Sequence, residues 1–180
     1  MDEVVEGVPV RMVLPVPAIL CESCRMCCRF TDPFRAPWAV RVGEIPGFPA
    51  GFSAPRPLRL DPCPDSPDIP LEACSGLDRP SHRCTFWGEH PADCRIYPLL
   101  LVIRENAFRL VLDSDCPFSS IGTEAFFREQ AERFQEDEWK ALSPREMALL
   151  EPFARAEDRP HYREVLCLPD LRNSPARPYW

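Results

Sequence analysis

The sequence predicts a small, irregular α+β protein with a cysteine-rich core, one β-hairpin and C-terminal helices. Three observations support this prediction: ten cysteines in 180 residues, two β-prone runs joined by a short polar turn, and a helical repeat of apolar residues near the end. The length and a net charge of only −7 indicate one folded domain. Within it we expect an N-terminal extension at 1–20, a cysteine-cluster core at 21–118 and a helical part at 120–180.

Proline shapes the first part of the chain. The 23 prolines are well over twice the usual frequency of about 5%, whereas glycine occurs only 7 times. Many of the prolines fall between Thr31 and Leu71, where few regular signals are present. We therefore predict an extended, stiff wrap whose apolar residues Phe34, Trp38, Phe48 and Phe52 lie over a core.

The hairpin is predicted from "LLLVI" and "FRLVLD", which are separated by "RENA". Two β-prone runs around a short polar turn are typical of antiparallel strands, here from Leu99 to Asp113. Antiparallel strands return the chain to its starting end. Cys94, before the first strand, should therefore lie near Cys116, after the second.

The helical part follows from Thr123 onward. Phe127, Ala131, Phe134 and Ala141 recur near one face of a helix, with charged residues elsewhere.

A second helix is predicted to start at a capping box. Ser143 and Glu146 have the spacing of the box, and Pro144 occupies the first helical position. Because a proline inside a helix removes a hydrogen bond and clashes with the preceding turn, Pro152 should end or kink this helix within about two turns.

Four cysteines crowd into "CESCRMCC", at positions 21, 24, 27 and 28. The C-x2-C step is the common unit of zinc and iron–sulfur sites, because two intervening residues let both sulfurs face one centre. Here two such steps overlap. Neighbouring side chains diverge, so Cys27 and Cys28 should serve two different metal atoms, either in separate sites or within one polynuclear cluster.

Four later cysteines complete a set of eight candidate metal ligands. Three of them are spaced at intervals of ten residues, and the predicted hairpin brings the fourth back toward them. Eight thiolates suit two four-sulfur sites, which would be two zinc sites, two iron–sulfur clusters, or one cluster and one mononuclear site. The candidates are Cys21, Cys24, Cys27, Cys28, Cys74, Cys84, Cys94 and Cys116.

The other two cysteines are expected outside this set. Cys63 lies between two prolines in a loop-like stretch, and Cys167 has apolar neighbours that predict a buried structural thiol. His82 and His90 flank Cys84, and they would complete a Cys3His zinc site only if one cysteine is spare.

Two arginines neighbour the candidate ligands. Arg83 precedes Cys84 and Arg95 follows Cys94. A positive charge at these positions would lower the thiol pKa and offset the excess charge of a four-thiolate centre, although both arginines could equally be solvated.

Several function classes are disfavoured. A sequence pI near 5.1 without a basic stripe argues against nucleic acid as a partner. The first 20 residues are acidic where a secretory signal is basic, and no apolar run is long enough to span a membrane. We therefore expect a cytoplasmic protein. Cysteines in a reducing compartment are more often metal ligands or catalytic thiols than disulfides.

Two cysteine elements resemble a known family. "CESCRMCC" matches the C-x-x-C-x-x-C-C signature of the YkgJ-like cysteine-cluster proteins, which are regarded as zinc- or iron-chelating domains. A second family element, a cysteine followed by C-x9-C ending in R-P-x-x-C-R-x-Y-P, resembles Cys74 and then "CTFWGEHPADCRIYP" from Cys84 to Pro98. The resemblance covers Cys21 to Cys116 and implies a metal site without implying a particular reaction.

The sequence departs from the family pattern in three ways, one of which is that the segment between the two elements is long and unusually rich in proline. Phe86 and Trp87 stand where an Ile-Tyr pair is usual, and His90 replaces the arginine before Pro91.

Three functions remain open at this point. The first is a metal-binding protein whose iron–sulfur or zinc centres organise the core, with iron–sulfur favoured because eight ligands exceed the need of one structural zinc. The second is a cluster-dependent enzyme, either a redox enzyme or a protein-modifying one, since a related pattern occurs in flagellin lysine methylases. The third is a module that delivers metal to a protein partner.

Overall fold

The computed structural model describes residues 28–30, 38, 45–53, 58–62, 72–78, 80–81, 83–86 and 90–171. These residues form a mixed α+β fold with small antiparallel sheets. No helix among them is long and apolar enough to cross a bilayer. Several positions named from the sequence lie outside the described residues, namely Cys21, Cys24, Cys27, Phe34, Cys63 and His82.

Between residues 28 and 86, the described residues include five very short strands. Three of them form an antiparallel sheet with the order β1-β3-β2, and the other two pair with each other. Each strand has only two or three residues, so backbone pairing alone gives this segment little stability. The strands are β1 (Arg29–Phe30), β2 (Leu60–Pro62), β3 (Glu72–Cys74), β4 (Leu77–Asp78) and β5 (Arg83–Cys84).

The predicted hairpin is present and is the longest strand pair among the described residues. Strand β6 (Leu99–Arg104) pairs with β7 (Ala107–Leu112). The two turn residues, Glu105 and Asn106, have φ values of 51° and 62°. Positive φ at both central positions is the geometry of a type I′ turn, whose twist matches that of the flanking strands.

A third strand, β8 (Arg163–Cys167), extends this sheet to the order β6-β7-β8. It pairs antiparallel with β7, and Leu168 N donates to Phe108 O just beyond it at 2.9 Å. The region that the sequence predicts to be helical therefore also contains a strand.

Four α-helices pack around the sheet in the described part of the chain. Thr123 caps α3, because its hydroxyl accepts a hydrogen bond from Phe126 N at 3.2 Å. The predicted capping box of α4 is confirmed, with both Ser143–Glu146 bonds formed. The helices are α1 (Ala92–Ile96), α2 (Pro117–Ile121), α3 (Glu124–Asp137) and α4 (Pro144–Glu157).

Of the two outcomes predicted at Pro152, an end of α4 is wrong, because the helix continues to Glu157, and a kink stays a prediction. Pro152 is exposed, whereas Leu150 and Ala154 on either side are fully buried. Their packing against the core offsets the hydrogen bond that proline removes.

The apolar core lies between the hairpin and the two long helices. Phe127, Ala131 and Phe134 are buried as predicted, but Ala141 is exposed because α3 has already ended and a 3-10 turn carries residues 139–141. Trp139 fills the centre and is completely buried.

Aromatic residues from the proline-rich stretch cover this core, as predicted. Trp38 stacks on Phe52 with ring centroids 5.6 Å apart, and Phe48 meets Phe153 edge to face at 5.7 Å. The wrap therefore attaches to the core by aromatic contacts.

Candidate functional site: a cysteine-rich centre

Cys28 and Cys74 meet at the short three-stranded sheet. Cys74 ends β3, and its N–H donates to the carbonyl of Cys28 at 3.0 Å. The two residues also pack together with Leu58 and Leu60 in a small apolar cluster. This contact joins the end of the N-terminal cysteine motif to the first of the later cysteines.

A tight turn brings Cys84 back toward Cys74. Gly76 N donates to Cys74 Sγ at 3.4 Å, and Gly76 O accepts from Thr85 N at 2.8 Å. A Cβ at position 76 would lie 2.7 Å from the Phe86 ring, so only glycine fits this turn. The β4–β5 pairing then sets Cys84 opposite Leu77.

Cys94 reaches the same area from α1. Burial raises the pKa of its thiol well above the ordinary value, and the nearby groups Asp93, Cys28, Cys74 and Cys84 raise it further. The thiol is therefore desolvated, although the residue as a whole is only partly buried. Three cysteines from three other segments are close enough to affect it electrostatically.

The pKa of the Cys74 thiol is also raised. Burial is the main cause of its raised pKa; the Gly76 hydrogen bond partly counters this, and Cys84, Asp93 and Asp61 add to the rise. Repulsion between like charges accounts for these additions, because each ionised thiol makes the next ionisation harder. The four thiols thus form one electrostatically linked group, which we call the cysteine centre: Cys28, Cys74, Cys84 and Cys94.

The sulfur atoms of the cysteine centre are farther apart than they would be around a shared metal ion. In the described part of the chain, no three cysteine sulfurs lie within 4.8 Å of one another. Six cysteines are described, namely the four of the centre with Cys116 and Cys167, and no disulfide joins any two of them.

Cys116 follows the second strand of the hairpin, as Cys94 precedes the first. Asp113 N donates to Pro98 O at 2.9 Å, and Cys116 N donates to Asp113 O at 3.3 Å. The hairpin ends therefore adjoin, as predicted, and Cys116 is buried at the start of α2. Its approach to Cys94 stays a prediction.

Cys167 is exposed, so the expectation of a buried thiol is wrong. It ends β8, an edge strand that faces only β7, where it lies opposite Arg109. Its apolar neighbours Val165 and Leu166 pack against the core, while Cys167 itself remains in solvent.

Neither arginine is among the causes of the pKa shifts of Cys74 and Cys94, and the effect of Arg83 on Cys84 stays a prediction. Arg83 is exposed, and Arg95 is buried in an ion pair with Glu138 at 2.6 Å. The pKa values of Cys74 and Cys94 are both raised. The positive charge of Arg95 acts instead on His90, whose pKa is lowered by burial and then by Arg95.

A separate group of potential metal ligands, which the sequence does not predict, lies beside the hairpin. Asp113, Asp115 and His161 have ligand atoms within 4.8 Å of one another. Asp113 is buried and accepts hydrogen bonds from Tyr97 at 3.1 Å and Asp115 N at 2.9 Å, whereas Asp115 and His161 are exposed. No ligand spacing in the sequence connects His161 to the two aspartates, because the loop before β8 brings it there.

Comparison of the chain with protein-family models, curated proteins and solved structures gives no match in any of the three. The function is therefore argued from the chain's own residues.

Proposed function

We propose that this protein binds metal through cysteine thiolates, as an iron–sulfur or zinc protein. The observation that carries the proposal is the cysteine centre, in which the desolvated thiols of Cys74 and Cys94 lie close enough to Cys28 and Cys84 for their charges to interact. The sequence motif adds four further candidates to the same set, Cys21, Cys24, Cys27 and Cys116.

The chemistry of the centre fits a soft metal. Thiolates select zinc, copper(I) and iron–sulfur clusters over hard cations. A bound cation would lower the thiol pKa values that burial and mutual repulsion now raise. The N–H of Gly76, which points at Cys74 Sγ, is the kind of hydrogen bond that tunes a metal-bound sulfur.

Iron–sulfur is the favoured cofactor, and zinc is the alternative. Eight cysteines that include an adjacent pair exceed the four ligands of one structural zinc site. Either metal would cross-link the short strands through its cysteine ligands. An iron–sulfur cluster would in addition supply one-electron chemistry.

An enzymatic role, such as methyl transfer, and a metal-delivery role rest on the family resemblance. Nothing among the described residues favours either over metal binding itself. Metal binding is thus the function that these residues support best.

The identity of the metal can be tested on protein purified without oxygen. An iron–sulfur protein should be brown, absorb broadly near about 400 nm, contain iron and acid-labile sulfide, and bleach with dithionite. A colourless preparation with stoichiometric zinc would support the alternative. Protein that contains neither metal and takes up neither on reconstitution would overturn the proposal.

Cysteine variants test which thiols bind. Cys74→Ser and Cys94→Ser should each lose metal, because both side chains belong to the cysteine centre. Cys27→Ser should do the same if the N-terminal motif contributes. Cys167→Ser is the matched control, since its exposed thiol is separate, and it should keep full metal content. Equal metal content in Cys74→Ser, Cys94→Ser and the control would contradict the ligand assignment.

A further inference from the structure

The Arg95 side chain is buried with part of its hydrogen-bonding capacity unused. Only 3% of the side chain is exposed, and Nη2 pairs with Glu138 at 2.6 Å. Among the described residues, neither Nε nor Nη1 has a hydrogen-bond partner, although both atoms are buried. Buried donors on a charged group are normally satisfied, because leaving them unpaired costs free energy.

Another arginine of the chain shows the usual arrangement. Arg104 donates from Nε to Asp158 at 2.9 Å and from Nη2 to the carbonyls of Arg159 and Tyr162 at 3.0 Å. Arg104 is also less buried than Arg95. The more buried guanidinium is thus the less satisfied one.

Glu138 cannot supply the missing acceptors from where it lies. Its Oε2 is directed toward Gly51, where an added Cβ would approach it to 2.8 Å. The Nε and Nη1 hydrogens of a planar guanidinium point in different directions, so the carboxylate that serves Nη2 does not reach both. Gly51 leaves room for Glu138 in this place and so keeps those two donors available.

Arg95 still acts electrostatically on its surroundings despite the ion pair. The charge of Arg95 still lowers the pKa of His90, which is half-buried. A group that fills the unused donors would therefore be favoured if it were negatively charged.

We propose that Arg95 binds a small oxyanion, of carboxylate or phosphate type, through Nε and Nη1. Consecutive residues of a helix project about 100° apart, so Arg95 and Cys94 occupy different sides of α1. The donors of the anion site belong to Arg95 and not to the thiols, so the proposal does not depend on metal binding.

The test uses the full chain, both metal-loaded and metal-free, titrated with inorganic phosphate, sulfate or acetate at constant ionic strength. At least one of these anions should raise the thermal midpoint saturably in both forms. Arg95→Lys should weaken that binding by about tenfold or more, because an ammonium lacks the planar fork. Arg104→Lys is the matched control and should bind the anion as the wild type does.

Two further measurements keep the test decisive if Arg95→Lys fails to fold. Saturation of the wild type should shift the imidazole NMR signals of His90, because an anion on Arg95 offsets the charge that acts on the ring. Glu138→Gln should tighten oxyanion binding, because it removes a competing negative charge.

Absence of any saturable response to the three anions would overturn the proposal, as would unchanged affinity in Arg95→Lys. If the wild type binds none of them but Arg95→Lys changes the absorption of the metal-loaded centre, the acceptor is a sulfur of that centre and the oxyanion site is disproved.

Discussion

The two described regions of the molecule are organised in different ways. From residue 90 to 171, a three-stranded sheet and two long helices enclose fully buried aromatic and aliphatic side chains such as Phe127, Phe134 and Trp139. Between residues 28 and 86, strands of two or three residues surround a small cluster around Cys74. Apolar burial thus accounts for the first region and for the attachment of Trp38, Phe48 and Phe52 to it, but accounts poorly for the short strands around Cys74.

This difference indicates what the second region needs. The described short strands around Cys74 supply few backbone hydrogen bonds and pack on a small apolar cluster, so another source of free energy must offset the entropy of ordering them. The cysteine centre lies in this region and extends to α1 through Cys94. Metal binding, if it occurs as proposed, would stabilise the segment that the apolar core does not.

Metal removal should have the largest effect on stability, and this effect should fall on residues 28–86. Structural zinc contributes about 10–16 kcal/mol of binding free energy in small metal-dependent domains, and that contribution is absent from the stripped chain. Limited trypsin digestion after chelation should cut at Arg59 and Arg83 much faster, with little change at Arg104 and Arg109. Equal protease resistance and thermal midpoints before and after stripping would show that the region is stable without metal.

The second-largest effect on stability is expected from removing a buried aromatic side chain, and it should fall on residues 90–171. Trp139→Ala should lower the free energy of unfolding by about 3–5 kcal/mol, because it leaves a cavity. It also removes the Nε1 hydrogen bond to Pro169 O at 2.9 Å and the contact with Phe108. Denaturant unfolding with and without metal measures this loss.

The matched control for the core is Ile121→Ala. Ile121 is 64% exposed, so this change should alter stability by less than about 0.5 kcal/mol. If Trp139→Ala were as stable as Ile121→Ala, the helical region would not depend on its apolar core.

Loss of the helix cap should have the smallest effect. Ser143→Ala removes the hydroxyl that accepts from Glu146 N and should cost about 1 kcal/mol. Glu146→Gln keeps the reciprocal bond, since glutamine also completes a capping box, and it should cost less. Thermal unfolding of the two variants compares them, and a larger loss in Glu146→Gln would show that the Glu146 charge matters more than the box.

Local patterns in the sequence were sufficient to predict several elements. The hairpin follows from two β-prone runs, and the capping box follows from residues three positions apart. The burial of Trp38, Phe48 and Phe52 was also predictable, because large aromatic residues in a stiff, polar stretch have few alternatives to covering a core. Each prediction depends on residues close together in the chain or on strong intrinsic hydrophobicity.

The candidate site could be predicted only as a set of residues. Cysteine spacing identified Cys28, Cys74, Cys84 and Cys94 as candidates, but it contains no information on how desolvated each thiol is. The raised pKa of Cys94 comes from burial, then from the adjacent Asp93, and then from Cys28, Cys74 and Cys84, which belong to other segments. Arg95 likewise neighbours Cys94 in sequence, yet it pairs with Glu138 from the end of α3.

What the sequence by itself determined is the hairpin, the helix start at Ser143 and the list of thiols, since propensity, capping and composition act over a few residues. The tertiary structure decided that α4 continues through Pro152, that Cys167 is exposed on an edge strand and that β8 pairs with β7. Burial against distant residues governs each of these outcomes, and its free energy exceeds the local preference of any single residue.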